Sequence, residues 1–152
     1  MNITLICTGK TTEKHVLEGM KLYFDRVNHY SKSNLVEINA GKGDATQIKK
    51  KESEGILKRV GEKDVLILLD EKGRELTSVE FAKTLTHYQN ISTKNLVFVI
   101  GGAYGFSDEV YKRANMKMAL SKMTFPHQLV RVVFLEQLYR AFTILKGEKY
   151  HH

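Results

Sequence analysis

Asn95-Leu-Val-Phe-Val-Ile-Gly101-Gly102-Ala-Tyr-Gly105-Phe106 is the stretch on which the reading of this chain turns. Leu96 to Ile100 is an unbroken apolar run rich in β-branched residues, which suits a parallel strand covered on both faces. Three glycines then end the run, and glycine permits positive φ and close backbone approach. Ser107-Asp108-Glu109 follows with a capping hydroxyl and acidic residues for a first helical turn, so the unit reads strand, glycine loop, helix. Open α/β sheets bind ligands beyond the carboxyl ends of their strands, and a crevice is expected at this loop.

The flanking sequence repeats the pattern. Toward the C-terminus, a short helix to about Asn115 leads to a fifth strand, Met116 to Leu120, which exits through Ser121-Lys-Met-Thr-Phe125. Pro126 suits the first turn of the longest helix, which runs to about Lys146 with Gly147 as its stop. Toward the N-terminus, Asp64 to Leu69 is a third apolar strand, turning at Asp70 to Arg74. Thr77 with Glu80 then forms a capping box for a helix with Phe81, Leu85 and Tyr88 on one side. Asn2 to Cys7 and Leu35 to Asn39 are the first two strands. Val16, Met20, Tyr23, Phe24 and Val27 mark an amphipathic helix from Thr12 to Asn28, and Asp44 with Gln47 opens another to about Val60. Five strands alternating with five helices, without repeat or linker, predict a single α/β domain over residues 1–152 with a mainly parallel five-stranded sheet.

The last helix carries more apolar surface than one sheet face covers. Val130, Val133, Phe134, Leu138, Ala141, Phe142 and Leu145 form a stripe that Leu129, Val132 and Tyr139 widen. Such a helix is either buried within its domain or shared with a second subunit, and a homodimer is the favoured expectation.

With 24 basic against 17 acidic residues the formal charge is +7, which favours a polyanionic partner such as nucleic acid. The basic run Lys49-Lys-Lys51 with Lys58-Arg59 is read as the solvated face of a helix. A single cysteine, Cys7, excludes an internal disulfide and a cysteine zinc cluster, in keeping with a reducing compartment. No apolar run approaches the roughly 20 residues that span a bilayer, and no signal segment opens the chain, so a cytoplasmic protein without membrane contact is expected.

The glycine loop fits neither familiar phosphate motif. Gly105-Phe-Ser107 lacks the lysine of a P-loop, and a dinucleotide fingerprint belongs after the first strand, not the fourth. The exits Leu68-Leu-Asp70, Gly101 to Gly105 and Leu120 to Phe125 instead form three turns able to line one crevice. Ile100-Gly-Gly102 with Gly105, Leu120-Ser-Lys-Met-Thr-Phe-Pro-His127, Leu129-Val-Arg131, Glu136-Gln-Leu-Tyr-Arg-Ala141 and Tyr150-His151 resemble the RlmH (YbeA) family of SPOUT methyltransferases, over essentially the whole chain.

That resemblance implies a SPOUT-type α/β fold with a deep trefoil knot near the C-terminus and an obligate homodimer. It implies methyl transfer from S-adenosylmethionine, leaving S-adenosylhomocysteine and needing no metal, to ring nitrogen 3 of a pseudouridine in 23S large-subunit ribosomal RNA on assembled ribosomes. Carried over by position, the donor contacts are Leu69, Gly101, Gly102, Gly105, Leu120, Ser121, Lys122, Met123, Thr124 and Phe125. Ala103-Tyr104 departs from relatives, where Pro or Ser and an acidic or amide residue are common. Removing the imide proton calls for a base, and His127 and His151 are the candidates, with Tyr150 beside the latter. Arg140 and Arg131 match basic positions of the family and are expected to contact RNA or to pair with Glu136. Lys10, Lys42, Lys112, Arg113, Lys117 and Lys149 can widen the RNA footprint by charge. The rival readings are a catalytically inactive ribosome-binding protein of the same fold and a methyltransferase for another RNA.

Overall fold

The computed structural model describes residues 1–152. The chain runs β1 (Asn2–Thr8), α1 (Lys14–Asn28), β2 (Ser33–Ile38), α2 (Ala45–Leu57), β3 (Val65–Glu75), α3 (Ser78–Asn90), β4 (Asn95–Ile100), α4 (Asp108–Arg113), β5 (Met116–Ala119) and α5 (Leu129–Leu145). The strands form one parallel sheet in the order β2-β1-β4-β3-β5. α1 and α3 carry the chain one way along this order, and α2 and α4 carry it the other way. A uniform crossover hand therefore puts the two pairs on opposite faces. The core follows: Leu96, Phe98 and Ile100 of β4 pack with α1, α3 and α5, while Val97 and Val99 pack with Ile56 of α2 and Val110 of α4. The continuous apolar run is thus the sum of two alternating faces, each covered.

Both expected capping boxes are present. Asp44 accepts from Gln47 N while the Gln47 side chain accepts from Asp44 N, and Thr77 and Glu80 do the same for α3. Ser107 caps α4 by accepting from Val110 N. Phe98 anchors the larger core cluster, its ring centroid 4.8 Å from that of Phe134 and 5.9 Å from that of Phe81.

The structure departs from the sequence reading in three places. β3 does not end at Leu69: Leu69 and Arg74 both register with Met118, so residues 70–73 loop out and the strand resumes. Gly73 permits this, because a Cβ there would come within 2.6 Å of Met118 N. α5 begins at Leu129 and not at Pro126, because the lead-in is bound to the loop after β1: Thr12 N donates to Gln128 Oε1 and Gln128 Nε2 donates to Lys10 O. α5 also lies between α1 and α3, burying Arg131, Phe134, Leu135, Leu138, Ala141, Phe142 and Thr143. Burial within the domain therefore accounts for most of its apolar width, although Leu129 remains 40% exposed, and Leu17 and Leu22 of α1 remain 47% and 46% exposed.

Candidate functional site

The position of α5 dictates the path of residues 120–128. The chain must return from the edge strand β5 across the ends of β3 and β4 to reach β1. Thr124 Oγ1 donates to Glu71 Oε2 at 3.2 Å along the way, and the His127 ring lies 2.6 Å from Thr8 O at the end of it. Under this path is a cavity of about 850 Å³, walled by the exits of β1, β3, β4 and β5. It lies at the β1–β4 boundary, where the connection from β1 runs toward one sheet edge and that from β4 toward the other.

Leu69, Gly101, Gly102 and Gly105 line the cavity, as do Leu120, Ser121, Met123, Thr124 and Phe125. Lys122 alone of the expected donor set does not: its ammonium is exposed, 3.7 Å from Glu75. The glycine loop folds over its own aromatic. A Cβ on Gly101 would meet the buried Phe106 ring at 2.8 Å, and Gly105 takes φ +74°. Gly105 N closes the turn on Gly102 O at 3.2 Å, leaving Tyr104 exposed at the rim. Met123 is 77% exposed at the opposite lip, held where Ser121 Oγ accepts from Met123 N.

Sequence reasoning missed Thr8, Gly9, Ile48 and Glu52 in the wall. Glu52 had a legible signal, since it shares a helical face with Ile48 and Ile56, whereas the neighbouring lysines drew the eye to the solvated side. The carboxylate is 4% exposed. Its Oε1 accepts from Gly41 N at 3.3 Å, while Oε2 has no partner. Burial pushes its pKa up. The other cavity carboxylates are engaged: Asp70 accepts from Tyr111 Oη and Lys72 N, and Glu71 accepts from Thr124.

His127 Nε2 lies 2.6 Å from Thr8 O, a carbonyl that only accepts, and 2.9 Å from Arg131 Nη2, a guanidinium nitrogen that only donates, so it serves one of these partners in each tautomer, and Nδ1 has no protein partner. Arg131 corrects the sequence reading. It neither faces solvent nor pairs with Glu136; it is 0% exposed, with Nη2 donating to Thr8 O at 2.9 Å and Gly9 O at 3.0 Å, and Nη1 to Thr11 Oγ1. Glu37 lies 3.7 Å away. The reason is helical spacing, which puts Arg131 on the same face as Leu135 and Leu138, opposite carbonyls the sheet no longer uses.

The other expected catalytic residues gather elsewhere. Arg140 Nε and Nη2 donate to Glu136 Oε1 at 3.0 and 2.6 Å, and Tyr150 Oη donates to the same oxygen at 3.0 Å. The Arg140 guanidinium covers the Tyr150 ring at 4.8 Å, with His151 Nδ1 3.4 Å from Nη1. Burial, then hydrogen bonds with Tyr23 and Glu136, hold the Tyr150 hydroxyl far above its ordinary value, so it remains protonated. None of these residues lines the cavity. Val130 does, and Arg140 lies ten helical steps beyond it, about 15 Å at 1.5 Å per residue. No helix is long and apolar enough to cross a membrane.

Comparison with known proteins places these features in context. The family model described as "Predicted SPOUT methyltransferase" matches residues 1–151. A protein of Cytophaga hutchinsonii named "Ribosomal RNA large subunit methyltransferase H" is 51% identical over 155 residues, covering 100% of both chains. One of the same name from Christiangramia forsetii is 50% identical over 156 residues, covering 100% of this chain and 99% of the relative. Among solved structures, "a probable methylase family protein from Haemophilus influenzae Rd KW20" aligns with TM-score 0.54 at 13% identity, over 99% of this chain and 70% of the other, a likeness of fold.

Proposed function

The chain belongs to the SPOUT methyltransferase family, and from that premise we propose that it methylates 23S large-subunit ribosomal RNA, with S-adenosylmethionine as donor and ring nitrogen 3 of a pseudouridine in assembled ribosomes as acceptor. The observation that carries this reading is the cavity at the exits of β3, β4 and β5, lined by nine of the ten residues expected to meet the donor. Its volume lies within the usual range for small-molecule sites, and Leu69, Leu120, Met123 and Phe125 offer an apolar slot for a purine. The unpartnered carboxylate of Glu52 suits a ligand that carries positive charge. S-adenosylmethionine supplies a methyl group activated by its sulfonium sulfur.

The chain's own work is alignment first and proton removal second. His127, tied through Nε2, holds the wall at the β1 exit. His151, beside Arg140, is the better candidate for removing the imide proton or positioning the base. Because the tail cluster is about 15 Å along α5 from its own cavity, a homodimer in which one tail meets the partner's cavity joins the two halves. The family resemblance brings with it a trefoil knot, of which residues 120–128 would form part. The test is incubation with methyl-labelled S-adenosylmethionine and large subunits or whole ribosomes lacking the modification, followed by mapping of the labelled nucleotide. Label on a large-subunit pseudouridine is expected. Donor binding without transfer would favour the inactive binding protein, and label in another RNA would favour the other rival.

A further inference from the structure

Glu52 is costly as it stands. A buried carboxylate normally satisfies both oxygens, yet Oε2 accepts from nothing. It is the one buried cavity carboxylate with an oxygen to spare, since Asp70 accepts at both oxygens, from Tyr111 and Lys72, and Glu71 is exposed to solvent. The helix does not force it there, because exposed positions such as Lys51 and Glu54 lie alongside. Gly102 is the cover: a Cβ there would come within 2.5 Å of Oε2, so the loop rests on the carboxylate at a point where it has no side chain.

We propose that Glu52 is the pocket's receptor for the primary ammonium of the methyl donor's amino-acid end, which reaches Oε2 as Gly102 gives way. The assignment rests on the donor proposed above and adds which of its groups the carboxylate holds. The donor offers several groups. Ribose hydroxyls and the adenine amine donate hydrogen bonds but are neutral, and the sulfonium is charged but has no hydrogen to donate. Only the ammonium both donates and neutralises, which is what a buried, half-satisfied carboxylate lacks. Gly41 N keeps Oε1 fixed, so the second oxygen holds a defined direction toward the loop.

Calorimetry on the full-length protein tests this without reference to turnover. The probes are S-adenosylmethionine, S-adenosylhomocysteine, its deaminated analogue and 5′-methylthioadenosine, which lacks the amino-acid end. Wild type is expected to bind the homocysteine product roughly 10- to 100-fold more tightly than the deaminated analogue, the scale of a charged hydrogen bond. Glu52→Gln should erase that ratio, weaken S-adenosylmethionine and S-adenosylhomocysteine alike, and leave 5′-methylthioadenosine within about twofold of wild type. Equal wild-type affinity for the product and its deaminated analogue overturns the assignment, and needs no variant. Loss confined to S-adenosylmethionine would assign Glu52 to the sulfonium, and equal loss of all four ligands would make it a structural support; either overturns the proposal. If wild type binds none of the four, the donor reading itself fails, a result distinct from these.

Discussion

Replacing Arg131 with methionine keeps most of the side-chain volume and removes the guanidinium. Many buried ion pairs can be exchanged for apolar residues at little cost, because both partners are exchanged together. Here the main acceptors are the backbone carbonyls of Thr8 and Gly9, which no substitution removes, and Thr11 Oγ1 and Glu37 also face the group. Each stranded acceptor costs about 1–3 kcal/mol, and water entering from the cavity offsets part of it, so the expected loss is roughly 3–5 kcal/mol. For a domain of this size that lowers Tm by roughly 6–20 °C. Arg131→Lys should fall between, since one ammonium cannot reach all the acceptors that the planar fork serves. The measurement is urea denaturation with the slope m compared between variants. A loss below about 1 kcal/mol for Arg131→Met, at unchanged m, would refute the claim that this arginine fastens α5 to the β1 exit.

Three further outcomes follow from the same geometry. Gly101→Val should drive the Phe106 ring from under the loop and weaken S-adenosylmethionine binding at least tenfold, about 1.4 kcal/mol, by calorimetry on a variant shown to be folded. Leu129→Glu should shift sedimentation toward monomer at micromolar concentration if the exposed apolar edge of α5 is an interface; an unshifted dimer removes Leu129 from it. Glu52 has a raised folded pKa, so its protonated form suits the fold and its ionisation destabilises as pH rises through the carboxylate range and beyond. Glu52→Gln should therefore melt higher than wild type at pH 7, and the difference should vanish below about pH 4, where the carboxyl is protonated in folded and unfolded chains alike.

What was legible in the sequence and what was not divide along a physical line. Periodicity and caps are local, so β4, the boxes at Asp44 and Thr77 and the glycine loop were readable from a few neighbouring residues. The cavity was readable because strand exits in a parallel sheet converge by rule, and its lining residues because the family resemblance carried them over by position. Arg131 was not, because only a long-range fact, that α5 starts opposite spare β1 carbonyls, turns a charged residue into a core one. The same holds for residues 70–73, whose excursion depends on β5 pairing twice with one stretch of β3. Tyr150 and His151 were legible as a motif, but their distance from the cavity was not.

That distance bears most directly on how the site works. Within one chain, the tail is docked by Tyr150 on Glu136 and by Glu148, which accepts from Tyr30 Oη at 2.7 Å, so it is held on its own α5 and away from its own cavity. Cutting the chain after Gly147 removes both anchors together with His151 but leaves every strand, the cavity wall and α5. The truncated protein should bind S-adenosylmethionine within about twofold of wild type and still dimerise, while methyl transfer to ribosomes falls by at least about 100-fold, the lower range for a lost general acid or base. His151→Ala alone should reproduce that loss with donor affinity intact. Mixing the truncated protein with a full-length chain disabled by Gly101→Val then separates action within a subunit from action across the dimer. Recovery in mixed dimers requires one subunit's tail to serve the other's cavity. Absence of recovery, in mixed dimers confirmed by mass, would mean that the tail swings back to its own cavity, and the dimer would have to be explained on other grounds.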